Sequence, residues 1–242
     1  ASNNTGIGYQ VLAVNTTGTK NVAVGANALD ANTTADENTA VGYDVLTANT
    51  TGASNVAIGA YALDANTTAS YNVAVGNASL GANTTGTQNV AVGYAALRDN
   101  NSSYNTAVGY YALQLNTGTV NSAFGNYALQ SNTTGGNNVA VGSNALQNNT
   151  TASGNTALGR SALLANSTGA NNIAIGYGAL QANTTANANV AVGVDAMYDN
   201  TTGASNVAMG GGALANNTTA SENTAVGYQS MFDNTTGGSN AA

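Results

Sequence analysis

One five-residue block recurs along the whole chain. Asn4-Thr5-Gly6-Ile7-Gly8 opens the first copy and Asn21-Val22-Ala23-Val24-Gly25 the second. The block returns at Asn38, Asn55, Asn72, Asn89, Asn105, Asn121, Asn138, Asn155, Asn172, Asn189, Asn206 and Asn223, which makes fourteen copies, and a fifteenth starts at Asn240. The spacing is 17 residues, falling to 16 from Asn89 to Asn105 and from Asn105 to Asn121. A fixed short period is the signature of a stacked array in which each unit contacts its neighbours. Residues 1–242 therefore read as a single continuous tandem-repeat solenoid, with irregular coils expected near 89–120. The chain starts and stops inside the repeat without polar capping coils, so it reads as a segment of a longer array.

The consensus is N-[VT]-A-[VI]-G-x-x-A-L-x-x-N-T-T-[GA]-x-x. Asn21-Val22-Ala23-Val24-Gly25 reads as a short strand ended by glycine, with Val22 and Val24 on one face and Ala23 on the other. A strand that recurs at this spacing pairs in parallel with its counterparts one copy away. The expected fold is all-β, a parallel β-solenoid or β-roll of about 14 coils, each advancing ~4.8 Å. The β-branched pair and Leu29 are assigned to the coil interior. The Ala23 face is left to approach the opposite wall or another chain. Residues 26–31 are too short to separate a second strand from a single helical turn, and their Ala and Leu content leans toward a compact turn or helical turn. The residue after N-T-T alternates as Gly18, Ala35, Gly52, Ala69, Gly86 and resumes from Gly135, so a pair of coils forms a second period.

Two asparagine rows stand out. The head asparagines, Asn21, Asn38, Asn55, Asn72, Asn89, Asn138, Asn155, Asn172, Asn189, Asn206 and Asn223 among them, are read as a structural ladder bonded along the axis. The second row lies in N-x-[ST] sequons, the acceptor pattern for N-linked glycans: Asn15, Asn32, Asn49, Asn66, Asn83, Asn100, Asn132, Asn149, Asn166, Asn183, Asn200, Asn217 and Asn234. Thirteen in register would place a row of glycans on one edge of the stack. The competing reading is a turn, because Asn and Thr side chains bond nearby backbone. The copy at Asn116-Thr117-Gly118 keeps the Asn and first Thr yet loses the sequon, as a turn would permit. Thr-linked glycans on the same tract are a further alternative.

Composition removes other functions. The chain has no His and no Cys, so the commonest general base and the thiolate ligands are missing, and neither a catalytic nor a metal site nor a cofactor is expected. Its 10 acidic residues sit at scattered repeat positions, so no carboxylate pair is set by spacing. Lys20, Arg98 and Arg160 are the only cations and occupy three different repeat positions, which leaves nothing to track a phosphate backbone. No run of about 18 apolar residues exists to span a membrane.

The blocks Asn21-Val22-Ala23-Val24-Gly25 and Asn38-Thr39-Ala40-Val41-Gly42 resemble the head repeats of YadA-like trimeric autotransporter adhesins. The fuller pattern, Asn223-Thr224-Ala225-Val226-Gly227-Tyr228-Gln229 followed by Asn234-Thr235-Thr236-Gly237, is similar to repeats of bacterial surface proteins and phage tail fibres. The resemblance covers essentially the whole chain. It implies a left-handed parallel β-roll, association of three chains and a place at the cell surface. An N-x-V-x-G roll also resembles plant ice-recrystallisation inhibitors. The expectation is a non-enzymatic, extracellular or cell-surface structural segment of a fibre or filament, self-associating as filament or homotrimer and coated with glycans. An adhesin head or tail-fibre shaft is the second reading and an ice-binding protein the third.

Overall fold

The computed structural model describes all 242 residues. Every regular element is a three-residue strand: β1 (Thr5–Ile7), β2 (Val22–Val24), β3 (Thr39–Val41), β4 (Val56–Ile58), β5 (Val73–Val75), β6 (Val90–Val92), β7 (Thr106–Val108), β8 (Ser122–Phe124), β9 (Val139–Val141), β10 (Thr156–Leu158), β11 (Ile173–Ile175), β12 (Val190–Val192), β13 (Val207–Met209) and β14 (Thr224–Val226). The chain divides into two compact units. Ala1–Val120 carries β1 to β7, and Asn121–Ala242 carries β8 to β14. Within each unit every strand pairs in parallel with the next, in unbroken register, as in Val22↔Thr39, Ala23↔Ala40 and Val24↔Val41 or Val190↔Val207, Ala191↔Ala208 and Val192↔Met209. Each unit is thus an all-β parallel solenoid of coils about one repeat long.

The interior differs from the expected one. The middle alanine of the strand points inward and is fully buried in every coil from Ala23 to Ala225. Its flanking residues point outward, so Val22, Ile58, Phe124 and Met209 are exposed. Leu29 and its counterparts are buried as expected. The reason lies across the coil. A side chain at the strand centre faces the Ala-Leu wall: a Cβ built on Gly6 would lie 3.1 Å from Val11 Cγ1 and 3.9 Å from Leu12 Cδ1. With leucine filling that wall, only a methyl group fits opposite it. The larger β-branched residues take the other face of the pleat.

Residues 26–31 form the compact turn rather than a helical turn or a second strand, and no helix occurs in the chain. They are successive tight turns with Asn27 and Leu29 in the left-handed region, at φ 57° and 53°. The same two positions repeat this conformation in later coils, as at Asp44 and Leu46 or Tyr61 and Leu63. A non-glycine residue there carries strain of about 1–3 kcal/mol. Inter-coil bonds offset it: Leu29 N–H donates to Val45 O at 3.1 Å, and Asn27 N–H to Tyr9 O at 2.8 Å.

The short copies are absorbed at the N-T-T corner. In the coils starting at Asn89 and Asn105 the asparagine amide reaches a carbonyl two residues on, Asn100 Nδ2 to Ser102 O and Asn116 Nδ2 to Gly118 O, both 2.8 Å. Elsewhere it reaches three residues on, as from Asn49 to Gly52. The strands need no bulge, and Val90↔Thr106 keeps the common register.

Candidate functional site

Both asparagine rows lie inside the coil, at its two ends beside the strand and beside the N-T-T corner. In the head row the side-chain oxygen accepts from the backbone of the next coil: Asn38 N–H donates to Asn21 Oδ1 and Asn55 N–H to Asn38 Oδ1, both at 2.9 Å. The amide then donates across the coil, from Asn38 Nδ2 to Gly52 O at 2.9 Å. The rows are therefore coupled through the carbonyl after N-T-T. In the second row that same carbonyl is shared: Asn49 Nδ2 donates to Gly52 O at 2.9 Å and to Asn32 Oδ1 at 3.2 Å. A buried polar group is tolerated only when bonded, and these rows meet that condition by repetition, except at Asn83 Oδ1 beside the first short coil and at Asn223 Nδ2 in the last full coil.

The two-coil period has a physical counterpart here. In alanine coils the head amide makes a second bond along the axis, as from Asn55 Nδ2 to Asn38 Oδ1 at 3.1 Å and from Asn206 Nδ2 to Asn189 Oδ1 at 3.2 Å. In glycine coils Asn38 and Asn72 direct it to Gly52 O and Gly86 O. A Cβ on Gly18 would lie 2.5 Å from both Ala35 O and Asn15 Oδ1. Alternate corners thus lack room for the methyl group that their neighbours carry.

The expected row of N-linked glycans has no room in this fold at eleven of its thirteen asparagines. Asn32, Asn49, Asn66, Asn83, Asn100, Asn132, Asn149, Asn166, Asn183, Asn200 and Asn217 are all fully buried. Asn15 and Asn234 are partly exposed, yet their amides also donate to a carbonyl three residues on, at 3.0 and 2.9 Å. In most coils the amide nitrogen that would carry the sugar uses both of its hydrogens inside the coil, as Asn149 does toward Asn132 Oδ1 and Ala152 O. The intact mass of the natively folded protein is therefore expected to show no N-linked glycan on the eleven buried asparagines, and site-resolved glycopeptides from any of them would contradict this packing. The hydroxyls lie outside. The first threonine ties coils together, as Thr33 Oγ1 donates to Thr50 O at 3.1 Å, and the second, such as Thr34, Thr51 or Thr68, is exposed.

No family model matches this chain, and no curated protein does. What the surface can do must be read from its own side chains. The outward strand residues make an uncharged apolar strip in each unit: Val22 and Ile58 in the first, Phe124, Leu158, Ile173 and Met209 in the second, all about two-fifths exposed. Beside it, tyrosines after the strand glycine pack between coils. Tyr94 stacks on Tyr110 with centroids 5.3 Å apart, and Tyr43 meets Tyr61 edge-on at 5.6 Å. The cations are engaged singly: Lys20 with Glu37 at 2.9 Å, Arg98 with Asp99 at 2.8 Å, and Arg160 over the Tyr177 ring at 5.9 Å.

One acidic group shows that the turns have an electrostatic cost. Burial, with the charge of Asp44 adding to it, holds the Asp64 carboxyl above the usual carboxylate range. A group whose folded value is raised favours the folded state while it is protonated. Its contribution is greatest below the unfolded value of ~3.9 and is lost as pH rises through the higher folded value. Asp64→Asn is therefore expected to raise the denaturation midpoint at pH 7 and leave it unchanged at acid pH. Equal midpoints at both pH values would remove the argument.

Proposed function

We propose that the chain is a non-enzymatic structural repeat segment of an extracellular fibre or filament. The observation that supports this reading is the sameness of the coil-to-coil interface. Each step within a unit reuses one strand pairing, one buried Ala-Leu wall and two asparagine rows. Such an interface extends a stack by any number of coils without a new design for each. Covalent glycans, on this reading, belong on exposed hydroxyls such as Thr34 and Thr51 rather than on the sequon amides.

A second reading is favoured by the apolar strip: an adhesin head or tail-fibre shaft in which copies pack side by side. The small alanines are turned inward, so the outward Val and Ile residues are the surface left for that packing. Contiguous exposed apolar surface of this kind marks interaction sites.

Electron microscopy and sedimentation of the native material test both readings. Uniform filaments at the cell exterior are expected, and discrete trimers would select the second reading. Strict monomers at high concentration, or labelling confined to the cell interior, would overturn both. Val22→Lys together with Ile58→Lys should weaken lateral association while changing stability by no more than about 0.5 kcal/mol per site, since both side chains point outward and lie on non-adjacent strands.

A further inference from the structure

Four of the six variable positions of the repeat, the sixth, seventh, tenth and eleventh, lie in the turns around the Ala-Leu wall. In the coil that starts at Asn206 these are Gly211, Gly212, Ala215 and Asn216. Three of the four have lost nearly all side chain. The tenth position of the coil before is Tyr198, and that of the coil after is Phe232. A stripped coil therefore lies between two aromatic walls.

Both walls are seated by glycines. A Cβ on Gly178 would come within 3.3 Å of Tyr198 Cδ2, and one on Gly212 within 3.5 Å of Phe232 Cδ2. Gln181 Nε2 lies 3.0 Å from the Tyr198 hydroxyl and pins the first wall. Asn216 Nδ2 donates to Asp233 Oδ1 at 3.1 Å and sets the amide on the floor. The result is an open cavity of about 370 Å³ lined by Tyr177, Asp195, Tyr198, Asp199, Asn216 and Phe232. A second cavity of about 230 Å³ adjoins it through Asp195, Ala215 and Phe232 and adds Val194, Tyr228 and Gln229. Together they form one groove, and the larger part falls within the size range of about 300–1,000 Å³ of ligand pockets.

Asp195 stands where the two cavities meet. Its Oδ1 is out of solvent and packs against Gly178 of the preceding coil, where an added Cβ would overlap it. Only the other carboxylate oxygen is left to accept from a ligand donor in the groove. The chemistry around it narrows the donor. Aromatic faces require a ligand with an apolar side. Two carboxylates and two amides require several hydroxyl or amide groups on the other side. The acidic pair disfavours an anion, and no cation lines the cavity.

We propose that this groove, between Tyr198 and Phe232, binds a neutral saccharide, with a sugar face against the aromatic walls and a hydroxyl donating to the free carboxylate oxygen of Asp195. The site stands on the groove alone and does not depend on the fibre reading. A monomeric chain can bind sugar, and a filament can lack the site.

The test titrates the full chain with neutral hexose and N-acetylhexosamine oligomers, with their uronic-acid counterparts, and with calcium chloride alone. Calorimetry gives affinity, and the amide resonances of Gly211 and Gly212 locate binding. At least one neutral oligomer is expected to shift both amides, in the presence of a chelator as in its absence. Tyr198→Ala and Asp195→Asn should each weaken it about tenfold or more, the loss of one good contact. Tyr94→Ala, in the first unit, should not. Asparagine tolerates the left-handed backbone that Asp195 adopts, at φ 53°, so the Asp195 variant retains the coil; an unchanged melting temperature checks this. Silence at Gly211 and Gly212 with every saccharide overturns the proposal. So does binding that a chelator abolishes, or that prefers the uronic acids.

Discussion

Asn149→Asp is expected to destabilise the second unit's stack strongly at neutral pH and much less in acid. Asn149 is fully buried. Its Nδ2 donates to Asn132 Oδ1 at 2.7 Å and to Ala152 O at 3.0 Å, and its Oδ1 accepts from Asn166 Nδ2 at 3.0 Å. Aspartate keeps the acceptor and replaces both donors by an oxygen that faces two other oxygens. The carboxylate has no cation within the coil to compensate it, and an uncompensated buried charge costs about 3–5 kcal/mol. That is a large share of the 5–15 kcal/mol that typically separates folded from unfolded domains. Burial raises the folded value of such a carboxyl above the unfolded ~3.9. The charge penalty is thus absent below the unfolded value and grows as pH rises toward the folded one. Protonation restores one donor of the two, so recovery in acid is partial. Urea midpoints of the variant and the parent at pH 3 and pH 7 check this. A midpoint at pH 7 equal to the parent's would show that the row is not what holds the coils.

Gly59→Ala should destabilise the first unit by about 3 kcal/mol or more, through backbone strain and steric overlap together. Gly59 ends β4 at φ +127°, a conformation that L residues rarely adopt. A Cβ there would sit 2.6 Å from Gly76 O, a backbone atom that cannot swing away. Nor can the chain retreat, since Gly59 N–H is bound to Val41 O at 2.8 Å. Gly81→Ala is the matching control. Its backbone is ordinary, and its new methyl would meet Asp64 Oδ1 at 3.3 Å, the end of a side chain that can yield. The control should change the denaturation midpoint little. Equal tolerance at both sites would exclude the close glycine stack as a structural requirement.

Much of the architecture was legible because a repeat turns a three-dimensional problem into one of register. Once a strand recurs every 17 residues, parallel pairing with the adjacent copies satisfies all of them in the same way. Gly25 and its counterparts read as corners, and Leu29 as core, for reasons local to each residue. The alternation of Gly18 with Ala35 was equally visible as a second period, and its cause is a carbonyl that leaves no space for a methyl group. The groove at Tyr198 and Phe232 had a sequence signal too, in the adjacent glycines Gly211-Gly212 at two variable positions where the neighbouring coils carry Val194-Asp195 and Tyr228-Gln229. A consensus averages such departures away.

What the sequence by itself determined is the period, the parallel stacking, the glycine corners, the leucine wall and the presence of two asparagine rows. What only the tertiary structure decided is which way the strand faces and which side chains are left outside. Alternation along β2 assigns Val22 and Val24 to one face and Ala23 to the other, but it carries no sign. The sign came from the volume remaining between the leucine wall and the asparagine rows, which admits a methyl group and nothing larger. The same space decided the sequons. A motif specifies that Asn32 and Thr34 lie two residues apart, while burial of one and exposure of the other depends on the coil closing over the amide.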